Sequence, residues 1–309
     1  MPEFDVIIDD WLLNVCTNFS KKPADRKRIH SLINDFEAGE WRFNKFQSFI
    51  WDNIAECALS AKEREALIDK KHSTLVRAAQ NLRLTDKAKD KHGKGSELAE
   101  IVLYGIMRKY YDALPVVPKI YYKQNAQDNA KGADSVHIVL EGCDKFSLWF
   151  GEAKFYNSID DDRLGSIIQS VENSLQLNKL KKENSIITNV NNLDELLEGQ
   201  PYLAKFINDA LSSENSLDNL KPILHIPILL LHECSITSDV TELSKEYKAN
   251  LIEFHKERSA SFFSKQIHKL AGVIHKYKDI HFHLILFPVP DKEKIVNEFI
   301  HDVTFYKSK

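Results

Sequence analysis

The hydrophobic period of this chain changes at Pro115. Before it, from about Lys21 to Ala88, apolar residues recur at helical spacing, as in Phe43, Phe46, Phe49, Ile50, Ile54, Cys57 and Ala58, with no convincing strand. A run opened by Gly95-Ser96-Glu97 keeps the helical period through Leu98, Ile101, Val102, Ile106, Met107 and Tyr110, with Ser96 placed as its N-cap. After Pro115 the period is two. Val116 to Lys123, Ser135 to Leu140 and Phe146 to Ala153 are rich in β-branched and aromatic residues and read as strands. Helical spacing returns from Asp160 to Leu180, and Asn184 to Lys221 is polar, with a short helix near Leu193 to Leu211. Ile226 to His232 reads as a buried strand, Thr241 to His275 as mostly helix, and Ile280 to Phe287 as a last strand closed by Pro288 and Pro290.

The order helix, three strands, helix, strand, helix, strand predicts an α/β fold, a mixed sheet flanked by helices, behind a helical N-terminal region. On this reading residues 1–92 form the helical region and residues 93–309 the sheet-bearing domain. The few residues at 141–145 make the second and third strands a hairpin, so part of the sheet is antiparallel.

Lys plus Arg number 42 and Asp plus Glu 45, a formal net charge of −3, so overall charge announces no nucleic-acid partner, although local patches still steer binding. One such patch is Lys62 to Lys94, with ten Lys or Arg against five acids, ending in a basic loop at Lys87 to Lys94. Cys16, Cys57, Cys143 and Cys234 are far apart, which argues against a zinc ribbon or a disulfide framework and fits a reducing compartment. The opening MPEFDVIIDDW is acidic, and apolar runs such as Ile226 to Leu231 are far short of a membrane span. The expectation is a soluble, cytoplasmic protein with no membrane partner.

The chemistry concentrates at the end of the third strand, Trp149-Phe150-Gly151-Glu152-Ala153-Lys154. Alternation puts Glu152 and Lys154 on one face and Ala153 on the other. With the hairpin centred on Cys143, Asp134 falls opposite Glu152. Two facing carboxylates repel unless a positive group lies between them, and two carboxylates beside a lysine suit a divalent cation. Glu97 and Glu100, three apart near a helix start, supply a further acid. An Asp, a Glu-x-Lys pair and a helical Glu are the parts that phosphodiester hydrolysis needs: the carboxylates hold one or two Mg²⁺ or Mn²⁺, and the lysine orients water and offsets charge on the phosphate. His281 and His283 alternate on one strand face, but no further ligand follows at metal spacing, and they read as sheet residues.

Gly132-Ala133-Asp134 followed by Glu152-Ala153-Lys154, downstream of a Glu-bearing helix, resembles the PD-(D/E)xK nuclease superfamily. The wider pattern is Leu98-Ala99-Glu100-Ile101-Val102-Leu103, Val117-Pro118-Lys119-Ile120, Lys131-Gly132-Ala133-Asp134 and Phe150-Gly151-Glu152-Ala153-Lys154-Phe155-Tyr156. It resembles the HamA family, the nuclease subunits of Hachiman anti-phage defence systems. The resemblance implies a restriction-endonuclease-like core and a Mg²⁺- or Mn²⁺-dependent endonuclease acting on DNA. It also implies a helicase partner of the HamB kind in a hetero-complex. By position it makes Asp134, Glu152 and Glu100 metal ligands and Lys154 the catalytic lysine, with Glu97 the second choice for the helical acid. Two departures stand out. Ala133 occupies a place often held by proline, and Gln169 is followed by Asn173 where some relatives have Gln-x-x-x-Tyr, so no role is carried to Gln169. The competing reading is a catalytically silent nucleic-acid-binding or scaffold subunit that has kept the fold.

Overall fold

A computed structural model describes residues 3–84, 95–122, 132–142, 145–189, 197, 201–212 and 214–309. In chain order the strands are β1 (Asp5–Trp11), β2 (Lys27–Ile33), β3 (Phe36–Glu37), β4 (Glu40–Trp41), β5 (Leu114–Val117), β6 (Ser135–Leu140), β7 (Phe146–Tyr156), β8 (Leu224–Glu233) and β9 (His281–Val289). The longer helices are α1 (Phe43–Ala58), α2 (Lys71–Asn81), α3 (Ser96–Tyr111), α4 (Leu164–Ser174), α5 (Leu177–Asn189), α6 (Pro201–Leu211), α7 (Lys245–Leu270) and α8 (Lys292–Lys307).

Seven strands make one sheet in the order β1-β2-β9-β8-β7-β6-β5, and β3 and β4 form a separate ribbon. The four middle strands, β2, β9, β8 and β7, run parallel, while β1 at one edge and β6 and β5 at the other add antiparallel. A parallel centre must be covered on both faces, which is why β8 reads as the near-continuous Ile-Leu-Leu-Leu run from Ile228 to Leu231 rather than an alternation. Helices α1, α2, α3 and α8 cover the face carrying Leu229, Leu231, Ile285 and Phe287. Helices α4, α5, α6 and α7 cover the face carrying Ile228, Leu230, Leu284 and Leu286. Each such fully buried aliphatic side chain contributes about 1.5–3 kcal/mol, so the two apolar layers dominate stability. The whole stretch Leu98–Met107 of α3 is buried, because that helix lies between the sheet and α1.

The mixed sheet flanked by helices is thus present. The N-terminal region, however, is not wholly helical: β1 and β2 belong to the same sheet as the strands beyond residue 93. The apolar pattern hid β2 because it pairs on both sides and buries polar residues, Lys27, His30 and Ser31, in place of an alternating apolar set. The strand expected from Val116 to Lys123 stops at Val117, where Pro118 leads into a short helix, Lys119–Tyr122. The helix expected from Asp160 to Leu180 is divided between α4 and α5. At the head of α3, Gly95 takes the N-cap with φ of 94°, and Ser96 is the first helical residue. The basic loop from Lys87 to Lys94 and much of the Asn-rich stretch lie outside the described residues. Among the described residues no helix is long and apolar enough to cross a membrane.

Candidate active site

The β6–β7 ladder runs from Leu140↔Phe146 to Ser135↔Gly151, the register expected of a hairpin centred near residue 143. There β6 ends, and β7 continues for five more residues paired only with β8. The Asp134 N–H donates to the Gly151 carbonyl at 2.7 Å, and its carboxylate Oδ2 accepts the Ala153 N–H at 3.1 Å. The side chain has taken over the backbone donor that a continuing ladder would satisfy, and so the Asp134 carboxylate is held astride Glu152. Gly151 is required at this corner, since a Cβ would lie 2.2 Å from Ser135 Oγ and 2.7 Å from Leu103 Cδ2 of α3.

Alternation along β7 sends Ala153 and Phe155 into the layer under α3, and Glu152 and Lys154 to the opposite face, toward α4. Glu152 is only 2 % exposed, and Ser170 Oγ of α4 donates to its Oε2 at 2.5 Å. A charge-assisted bond of this kind holds one carboxylate oxygen in place. Lys154 is half-buried two residues on, and its positive charge works against the rise that burial imposes on the nearby Tyr156 phenol.

The two helical acids part company. Glu97 accepts the N–H groups of Arg83 and Leu84, each at 3.0 Å, one on each carboxylate oxygen, and thereby closes the chain leaving α2. Glu100, 5 % exposed, lies in the layer between α3 and α1, where its charge acts on the Cys57 thiol and the Tyr104 phenol. Its helix packs on the other face of the sheet from Glu152. The structure therefore places Asp134, Glu152 and Lys154 along one end of β7, and Glu100 on a helix in the layer on the other face of the sheet.

A family model for HamA matches residues 5–303, nearly the whole chain. The chain belongs to the HamA family. As such it is a component of a Hachiman antiviral defence system. No curated protein matches it.

In this HamA-family chain, among the described residues, no group of three or more His, Cys, Asp or Glu is arranged to hold a metal. The donor set at β6–β7 is instead a pair of carboxylates. That composition fits a hard cation such as Mg²⁺, which is held through one or two carboxylates and completes its shell with water and phosphate, better than zinc, which wants nitrogen or sulfur ligands.

Three polar residues at the site escaped the sequence reading. Ser170 gave no signal beyond its place on an amphipathic helix. Lys119 and Glu183 form a buried pair, with Lys119 Nζ 2.7 and 2.6 Å from the two Glu183 oxygens, and Glu183 Oε1 also accepts the Ala133 N–H at 3.1 Å. The motif Val117-Pro118-Lys119-Ile120 contained half of that pair, but nothing in spacing links it to residue 183. His281 and His283 are sheet residues whose rings join a stack with His225 and Trp149. His281 Nε2 meets Arg26 and His283 Nε2 meets His225 Nδ1, both at 2.9 Å, while among the described residues the Nδ1 atoms of His281 and His283 have no hydrogen-bond partner. Burial pushes His225 down to about 3 and His281 to about 4, so the stack is neutral at physiological pH.

Proposed function

We propose that this chain is a metal-dependent nuclease that hydrolyses DNA phosphodiester bonds. On this reading it is the effector of a Hachiman complex in which a helicase subunit controls its access to DNA. The observation that carries the reading is the Asp134 carboxylate clasped to the Ala153 N–H at 3.1 Å, beside Glu152 and on the strand that presents Lys154. A structural salt bridge does not call for a second acid pinned against the first, whereas a cation site does.

Asp134 and Glu152 are assigned as ligands of Mg²⁺ or Mn²⁺, with Glu100 as the helical acid. Glu97 is the weaker choice because both its oxygens already serve backbone N–H groups. The cation, when bound, supplies charge to the scissile phosphate and acidifies a water. Lys154 places a mobile cation on the same face, where it orients the attacking water and offsets charge growing on the phosphate oxygens. Ser170 holds Glu152 in one orientation, so the donor set is pre-organised.

The test is cleavage of plasmid and linear DNA by the purified full-length chain, alone and with its helicase partner, in Mg²⁺, Mn²⁺ or EDTA. Glu152→Ala and Lys154→Ala are each expected to reduce cleavage by at least about 10³-fold with the fold retained. Metal-independent cutting, or cutting that survives both substitutions, would overturn the assignment. DNA binding without cleavage by the wild type under every condition would select the silent scaffold instead.

A further inference from the structure

We infer that Glu183, on α5, is a positioning residue for Asp134, and that the buried Lys119–Glu183 pair is a clamp on the backbone just before that aspartate. The inference rests on the nuclease reading and adds a control element to the same site. Asp134 lies immediately before β6, so the direction of its carboxylate depends on how residues 132 and 133 are held. Glu183 holds them in two ways. Its Oε1 accepts the Ala133 N–H at 3.1 Å, and the same oxygen lies where a Cβ on Gly132 would be, only 1.8 Å away. The Gly132-Ala133-Asp134 motif thus has a physical reason: the glycine makes room for the carboxylate, the alanine N–H is its ligand, and the aspartate is what the grip aims.

Lys119 completes the device. It is fully buried and contacts both Glu183 oxygens at 2.6–2.7 Å, so the carboxylate is held in one orientation. Lys119 is itself anchored, because its backbone N–H donates to the Tyr104 hydroxyl, which in turn donates to the Val117 carbonyl. Tyr104 sits on α3 one turn after Glu100. The chain of contacts therefore runs from the helix of the third acid, through the end of β5 and α5, to the first acid, and sets their relative positions.

A buried pair can be essential to folding without touching chemistry, so the test must separate the two. Replacing both charges leaves no unpaired ion, which lets the double variants fold. Lys119→Met with Glu183→Gln keeps an oxygen for the Ala133 N–H, and Lys119→Met with Glu183→Leu removes it. Full-length variants are compared for Mn²⁺ affinity, for the Mn²⁺ concentration giving half-maximal DNA cleavage, and for amide hydrogen exchange at residues 132–135. The Gln double variant is expected to stay within about threefold of wild type on all three. The Leu double variant is expected to need at least about tenfold more Mn²⁺ and to exchange the Ala133 amide at least about tenfold faster, with unfolding temperature preserved. Should that variant not fold, Gly132→Ala, which presses a methyl into the same oxygen, takes its place with the same expectation. Equal Mn²⁺ dependence in the Gln and Leu variants, with wild type active, would overturn the clamp alone. A wild type that neither binds Mn²⁺ nor cuts would overturn the nuclease reading itself.

Discussion

Lys27 and Lys119 are both sealed from solvent, yet they solve the problem of a buried ammonium in opposite ways. Lys119 contacts both oxygens of Glu183, and that carboxylate in turn grips the loop before Asp134. Lys27, on β2, has no hydrogen-bond partner for Nζ among the described residues and lies over the rings of Tyr277 and Phe282, 4.4 Å from each centroid. Its cation–π contacts recover part of the lost hydration, but burial still pushes its pKa down to about 7. Where a buried charge has a charged partner it fixes backbone next to the candidate site; where it has only rings it serves packing and sits near its own titration point.

The largest test of that contrast is single removal of each lysine. Lys119→Met strands Glu183 as an uncompensated buried charge and is expected to lower stability by about 3–5 kcal/mol in chemical unfolding. Retention of wild-type stability would mean that the pair is not the structural link argued above.

Lys27→Met is expected to act with the opposite sign and with a pH dependence. The folded pKa of Lys27 is depressed below its unfolded value near 10.5, so between about pH 7 and pH 10.5 the unfolded chain binds more protons. Wild-type stability therefore rises across that window as the buried amine is released as the neutral form. Methionine, which is never charged, is expected to stabilise by roughly 1–4 kcal/mol at pH 6, and the advantage should vanish by pH 10. Unfolding series at pH 6, 8 and 10 decide it; a constant offset would show that Lys27 keeps its proton throughout.

The same contrast explains what could be read from sequence. The candidate site was legible where chemistry and periodicity coincide: Glu152 and Lys154 follow an apolar run within one strand, and hairpin arithmetic brought Asp134 to them because the ladder is regular from Leu140 back to Ser135. The layered mixed sheet followed from the order of periods. Strand β2 stayed hidden because a strand that buries Lys27, His30 and Ser31 on both faces has no apolar alternation to detect. Glu97 and Glu100 could not be told apart by spacing, since what separates them is contact with Arg83 and Leu84 on one side and the α1 layer on the other. Glu183 and Ser170 act across the fold on residues 50 and 18 positions away, and no local signal encodes such a meeting.

The smallest expected effect tests whether the logic of the partnered charge extends to Glu152. Ser170 Oγ donates to Glu152 Oε2, and one turn earlier on α4 the Ser166 hydroxyl contacts the Tyr156 phenol at 2.6 Å on the exposed side. The two serines share a helix and a chemistry but differ in what they hold. Ser170→Ala removes the donor without removing the acid, so Glu152 remains buried with one fewer bond; a loss of about 1.5 kcal/mol, close to tenfold in cleavage at fixed Mg²⁺, is expected. Ser166→Ala is expected to change cleavage by less than about twofold, because the bond it breaks is exposed and orients no acid. Ser170→Thr, which restores the hydroxyl, should recover most of the rate. If Ser170→Ala and Ser166→Ala behave alike, Glu152 is held by the strand and not by α4, and the resemblance between its environment and that of Glu183 fails.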